Sequence, residues 1–295
     1  MKIRRKIMAV SMVALGVFTF SGCSSDADTV VNMAAISGVT EPVTGQAPVT
    51  EIEATDQYTG TVSWNPPDDS FTGDTVYTAT ITLTVKSGYT VHGVRADFFE
   101  VTGAESVSHD ANSGVVTAVF PKTYSIGGTG PAGGLIFYID EANAFDWNYL
   151  EVAPESTEWA DVAWGPDQTE IGGAARQTGI GDGKAATQAI IAAVQTENIA
   201  ARLCADLEHQ HDGITFSDWF LPSRDELGAI WQNIVHDGTG GNSGVGSFED
   251  EFYWTSSENE GDPGSEYAHV LFFSSGASSI AGKENPYWVR AIRAF

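Results

Sequence analysis

The sequence predicts two folded units in tandem, an all-β sandwich over residues 36–123 and an α+β unit over residues 124–295. Two changes of pattern carry this. From Ile36 to Thr123 apolar residues alternate with Thr and other polar residues at the period of two that a half-buried strand requires, and no helical period is present. From Tyr124 onward, stretches with apolar residues three and four apart interleave with short strand-like runs, the mixture expected of an α+β unit.

The N-terminus reads as an export signal. Lys2, Arg4, Arg5 and Lys6 form a basic region, Ile7 to Phe20 an apolar one, and Ser21-Gly22-Cys23 a small-residue cleavage point. The apolar run is shorter than the ~20 residues needed to cross a bilayer. The succession resembles a bacterial lipoprotein signal. That resemblance implies removal of residues 1–22, acylation of Cys23, and, with Ser24 rather than Asp following, placement in the outer membrane or on the cell surface. Residues 23–35 read as a tether.

Within the first unit, Tyr77, Ala79, Ile81, Leu83 and Val85 fall on one strand face and Thr78, Thr80, Thr82 and Thr84 on the other. Tyr58, Gly60, Val62 and Trp64 alternate likewise. Turn clusters at Asn65-Pro66-Pro67-Asp68-Asp69, Lys86-Ser87-Gly88 and Asp110-Ala111-Asn112-Ser113-Gly114 separate the strands. The spacing suits an Ig-like sandwich acting as a spacer.

In the second unit, Gly127 to Gly134 precedes a strand at Leu135–Ile139 instead of following one and opening a helix, so its context excludes a phosphate loop. Helices are expected at 184–194, 198–208 and 223–235. The last has a complete start signal: Ser223 with Glu226 three residues on makes a capping box, and Leu227, Ile230, Trp231 and Ile234 form one apolar stripe. Strands at 252–255, 268–273 and 287–292 complete the unit.

Charge bounds the partners. The chain holds 14 basic and 39 acidic residues, and four of the basic ones lie in the leader. Such a surface repels phosphate backbones and sulfated polymers, which excludes nucleic acid as a partner. Only Cys23 and Cys204 are present. Cys204 shares a helical face with Ala200, Leu203 and Leu207, so its thiol belongs in the core, and a lipidated Cys23 leaves no disulfide to form.

No catalytic motif stands out. His209-Gln210-His211 lacks further ligands at zinc spacing, and no Gly-x-Ser-x-Gly elbow is present. Asp218, Asp225 and Glu226 are read as structural, the last two as helix-start residues. Trp159 and Trp164, in a polar stretch, are the tryptophans expected at the surface, whereas Trp219, Trp231, Trp254 and Trp288 are expected in the core.

Several ordered blocks carry a family resemblance: Gly130-Pro131-Ala132-Gly133-Gly134-Leu135-Ile136-Phe137-Tyr138, Trp147 to Pro154, Asp218 to Leu227, Tyr253-Trp254-Thr255-Ser256-Ser257, and Trp288 to Arg293. Residues 124–295 resemble the C-terminal domain of the Legionella collagen-like adhesin, a family related in fold to C-type lectins. The resemblance implies a C-type-lectin-like fold and a surface binding or adhesion role toward a glycan, protein or matrix partner. It also implies a ligand end built from loops ahead of the last strands, here 237–250, 258–266 and 282–286. On these loops Glu258, Glu260, Glu284 and Asn285 are candidate ligand-binding residues, and their oxygens are of the type that holds calcium. A metal-independent surface centred on Trp159 and Trp164 is the alternative. Two other classes stay open, an enzyme of the formylglycine-generating, sulfatase-modifying fold group, which needs an accessible cysteine, and a purely structural envelope lipoprotein.

Overall fold

The computed structural model describes residues 27–167, 169–236, 238–239, 241–260 and 266–295. Cys23 and the leader lie outside them, as do Asp237 and Asp262. The protein is rich in β-structure, arranged in several sheets.

Eight strands make the first unit: β1 (Thr29–Val30), β2 (Ala35–Ile36), β3 (Tyr58–Asn65), β4 (Val76–Val85), β5 (Tyr89–Thr90), β6 (Glu100–Val101), β7 (Ser106–Ser108) and β8 (Val115–Lys122). Four of them form an antiparallel sheet in the order β3-β4-β8-β7, with Trp64 opposite Ala79 and Ile81 opposite Val116. The alternation works as expected: Tyr77, Ala79 and Ile81 are buried with Val116, Ala118 and Phe120, while the β4 threonines face away from this core. Two short parallel ladders, β1–β5 and β2–β6, lie in the segments that cover this face. The Tyr58 hydroxyl ties them to the sheet by donating toward the Met33 and Ala35 carbonyls, at 3.2 and 2.8 Å. Residues 29–35 are therefore part of the fold, which corrects the tether expected up to residue 35. Val31 is the physical reason, because it buries its side chain in the same cluster as Tyr58 and Phe99.

The second unit comprises β9 (Leu135–Ile139), β10 (Tyr149–Val152), β11 (Trp159–Val162), α1 (Gly183–Ala193), α2 (Ala200–Ala205), β12 (His209–His211), β13 (Ile214–Phe216), α3 (Arg224–Ile230), β14 (Phe252–Glu258), β15 (Tyr267–Phe272), β16 (Ala277–Gly282), β17 (Tyr287–Val289) and β18 (Ile292–Ala294). Its larger sheet has the order β11-β17-β14-β15-β16, and a three-stranded sheet the order β18-β10-β9. Helix α3 starts at the expected capping box, Ser223 accepting from Glu226 N–H and Glu226 accepting from Ser223 N–H. Its last turn widens into a π-helical segment, Trp231–Val235, with His236 N–H on the Trp231 carbonyl at 2.7 Å. Trp231 and Trp288 are only half-buried, unlike Trp219 and Trp254, so the tryptophans expected in the core divide evenly.

The glycine loop before β9 holds a carboxylate of the protein itself. Glu151 accepts from Gly134 N–H at 2.8 Å and Ala132 N–H at 3.1 Å, and a Cβ on Gly130 would sit 2.5 Å from that carboxyl group. Arg293 closes the arrangement, 3.2 Å from Glu151, and makes a two-point pair with Asp218 at 2.9 and 3.0 Å. Arg290 turns elsewhere, toward Glu158 and over the Phe248 ring. Asp218 and the two arginines thus cross-brace the start, middle and end of the unit. Cys204 is fully buried in α2, and burial pushes its thiol well above the ordinary range, so its sulfur is held as an inert core thiol.

Beside the junction Ser125 Oγ donates to Asp74 at 2.6 Å, and the two units also touch through residues 43–46. Val43 packs with Ile136 and Tyr149, Thr44 Oγ1 donates to the Tyr124 carbonyl at 2.7 Å, and Gln46 Nε2 donates to the Asp140 carbonyl at 3.2 Å.

Candidate functional site

Of the four loop residues expected at a ligand end, one is buried and three are exposed. Glu258 ends β14 and is fully buried. It pairs with Lys283 Nζ at 2.6 Å and accepts from Ile171 N–H at 3.0 Å and Gly172 N–H at 2.7 Å. Burial opposes its ionisation, but Lys283 and the two backbone donors outweigh that and hold the carboxyl below its ordinary range. This corrects Glu258 as an exposed ligand: its oxygens are spent inside the protein. Glu260, Glu284 and Asn285 are exposed, and among the described residues no group of three His, Cys, Asp or Glu side chains is placed to hold a metal ion.

Trp164 is corrected as well. Its ring is buried, with Nε1 donating to the Thr255 carbonyl at 2.8 Å and Lys283 Nζ 4.5 Å from the ring centre. The stretch around Trp164 is polar in sequence, but the ring itself turns inward, where the Thr255 carbonyl and the Lys283 ammonium meet it. Trp159, on the edge strand β11, is half-buried and packs on the same core.

The structure instead points to a cleft of about 490 Å³ between the loop 140–148, the start of α1 and the C-terminal strand β18. Its floor is Leu150, Phe220, Ala294 and Phe295; Asp146, Trp147, Lys184 and Gln188 complete the walls and rim. The presentation of Trp147 follows from local chemistry. Asp140, buried, accepts from Phe145 N–H at 2.8 Å through Oδ2 and curls the loop back on itself. Phe145 then stacks on Trp147 with centroids 4.3 Å apart and planes 5° from parallel. Gly181, at φ 90°, lets the Phe145 ring approach so closely that a Cβ there would lie 2.7 Å from it.

Glu226 lies at the back of the cleft and joins two helix starts. It caps α3 and also accepts from Gly181 N–H at 2.9 Å and from Gly183 N–H at the start of α1. Burial pushes its carboxyl up to about 7 against the pull of these donors. Both oxygens are occupied by the backbone, so Glu226 holds the cleft's geometry and offers no free group to a ligand.

A scan against protein-family models and a search of curated proteins each found no match to the chain. The cleft residues were accessible to sequence reasoning through one signal. Phe145 and Trp147, two apart in the run from Glu141 to Asn148 whose other residues are polar or alanine, are large rings without the large apolar neighbours that would mark a core element.

Proposed function

We propose that the chain is a bacterial cell-surface lipoprotein, anchored through acylated Cys23, whose C-terminal unit is a binding or adhesion module for a glycan, protein or matrix partner. The basic-apolar-Gly-Cys succession supports the anchor. Among the described residues no helix is long and apolar enough to cross a membrane. The resemblance to the collagen-like adhesin domain supports a C-type-lectin-like second unit, and the paired sheets and ladders of the first support an Ig-like one.

The observation that carries the binding reading is the aromatic cleft: a stacked indole beside apolar floor residues and three polar side chains, in the size range of roughly 300–1,000 Å³ used for small ligands. It needs no metal. Glycan-array and pull-down binding with the full chain tests this reading; specific capture of one glycan or protein class is the expected result, and no specific capture of either would overturn it.

A further inference from the structure

We infer that the Trp147 cleft takes one neutral pyranose ring, an inference that rests on the binding reading above and names its ligand class. The first argument is charge. Among the described residues of 124–295, Lys184 is the single Lys or Arg side chain with neither an ion pair nor a hydrogen bond. Arg176, Arg224, Lys283, Arg290 and Arg293 face carboxylates, and Arg202 caps helix carbonyls. Lys184 is also in the first turn of α1, where the helix dipole disfavours a cation. Its ammonium is exposed, so its three donors are free for something that enters the cleft. Asp146, exposed in the same cleft, sets an acceptor against them. A singly charged small molecule would meet like charge at one of the two and opposite charge at the other, so neither sign is favoured, whereas a neutral polyol uses one as donor and the other as acceptor.

The second argument is the distribution of polarity. Leu150, Phe220, Phe295 and the stacked Trp147 give an apolar surface, and Asp146, Lys184 and Gln188 a polar margin. A pyranose has that two-sided character, with C–H groups on a ring face and hydroxyls around the edge. Its face belongs against the aromatic surface and its hydroxyls among the three polar side chains, with Gln188 able to donate and accept.

The test is saturation-transfer NMR and tryptophan-fluorescence titration of the full chain with methyl glycosides of glucose, galactose and mannose, with neutral oligosaccharides of each, and with glucuronate and glucosamine as charged probes. At least one neutral series should bind, the charged probes should bind more weakly, and Trp147→Ala and Gln188→Leu should each weaken binding at least tenfold. Gln188 is exposed on α1, so its variant keeps the test valid if Trp147→Ala folds poorly. Neutral binding that survives both substitutions would remove the cleft while leaving a glycan-binding protein. Preference for a charged probe would remove the neutrality. Capture of a protein partner with no saccharide bound would overturn this inference and leave the broader binding reading intact, while no capture of any kind would overturn both.

Discussion

Lys283 and Glu258 show how a loop charge read from sequence becomes a core pair. Both are fully buried, and removing Lys283 leaves the Glu258 carboxylate away from water with only its two backbone donors and Arg176, 3.7 Å off, to offset its charge. Lys283→Met should destabilise the protein by about 3–5 kcal/mol, and adding Glu258→Leu should restore much of that loss. Urea denaturation of the two variants checks it, and equal destabilisation by single and double variants would show the pair is not coupled. Glu226 makes the complementary case. Its folded-state carboxyl titrates at about 7 against an ordinary 4.5, so the folded protein keeps a proton that the unfolded chain has released. Its contribution is therefore fully present below 4.5, is lost as pH rises toward 7, and amounts to at most about 3 kcal/mol. Unfolding midpoints should rise as pH falls from 8 toward 5.5, and Glu226→Gln should flatten that rise. Glu258, held low, acts the other way, and its contribution disappears only as pH falls below its ordinary range. Neither role could be read from the chain alone: the capping role of Glu226 is local and was legible, but its second set of donors, at Gly181 and Gly183, lies more than forty residues away.

Elements with a strong local signal were legible, and those defined by partners were not. The β4 alternation and the α3 capping box both state their structure within a dozen residues. Strand β16, by contrast, was not expected, because Ala277-Ser278-Ser279-Ile280-Ala281-Gly282 has no apolar alternation and exists through its pairing with β15. The α3 stripe was right about Leu227, Ile230 and Ile234, yet Trp231 sits at its margin, its ring over Gly276 and its Nε1 on the Phe273 carbonyl at 3.1 Å. Trp231→Ala should therefore cost less than the ~3–5 kcal/mol of a fully buried tryptophan, as measured by thermal unfolding. The loop 140–148 showed in the sequence only as two large rings two residues apart, not as a site. Its aromatic pair acquires meaning only when Gly181 and β18 are brought beside it.

At the scale of the whole chain, the hydrophobic clusters separate into one within residues 31–120 and two within 132–292, with the small Val43 cluster between. Residues 124–295 alone should unfold cooperatively, as the change of pattern near Tyr124 suggests. A disordered product would show the boundary to be misplaced. The first unit does more than fill distance, however, because Gln46 holds the Asp140 carbonyl at the root of the loop that carries Trp147. Gln46→Ala in the full chain should thus loosen that loop, detectable as faster amide exchange over residues 140–148, with the second unit's core unchanged.

That contact has a mechanical side. If the chain is held by its lipid at one end and by ligand in the cleft at the other, tension enters the second unit through the covalent junction near Tyr124 and through the bridge of contacts from residues 43–46. The junction cannot yield, but the hydrogen-bonded bridge can. Under pull it would part first and release the loop that grips the ligand, so the bond between cell and surface should shorten its lifetime steadily with load.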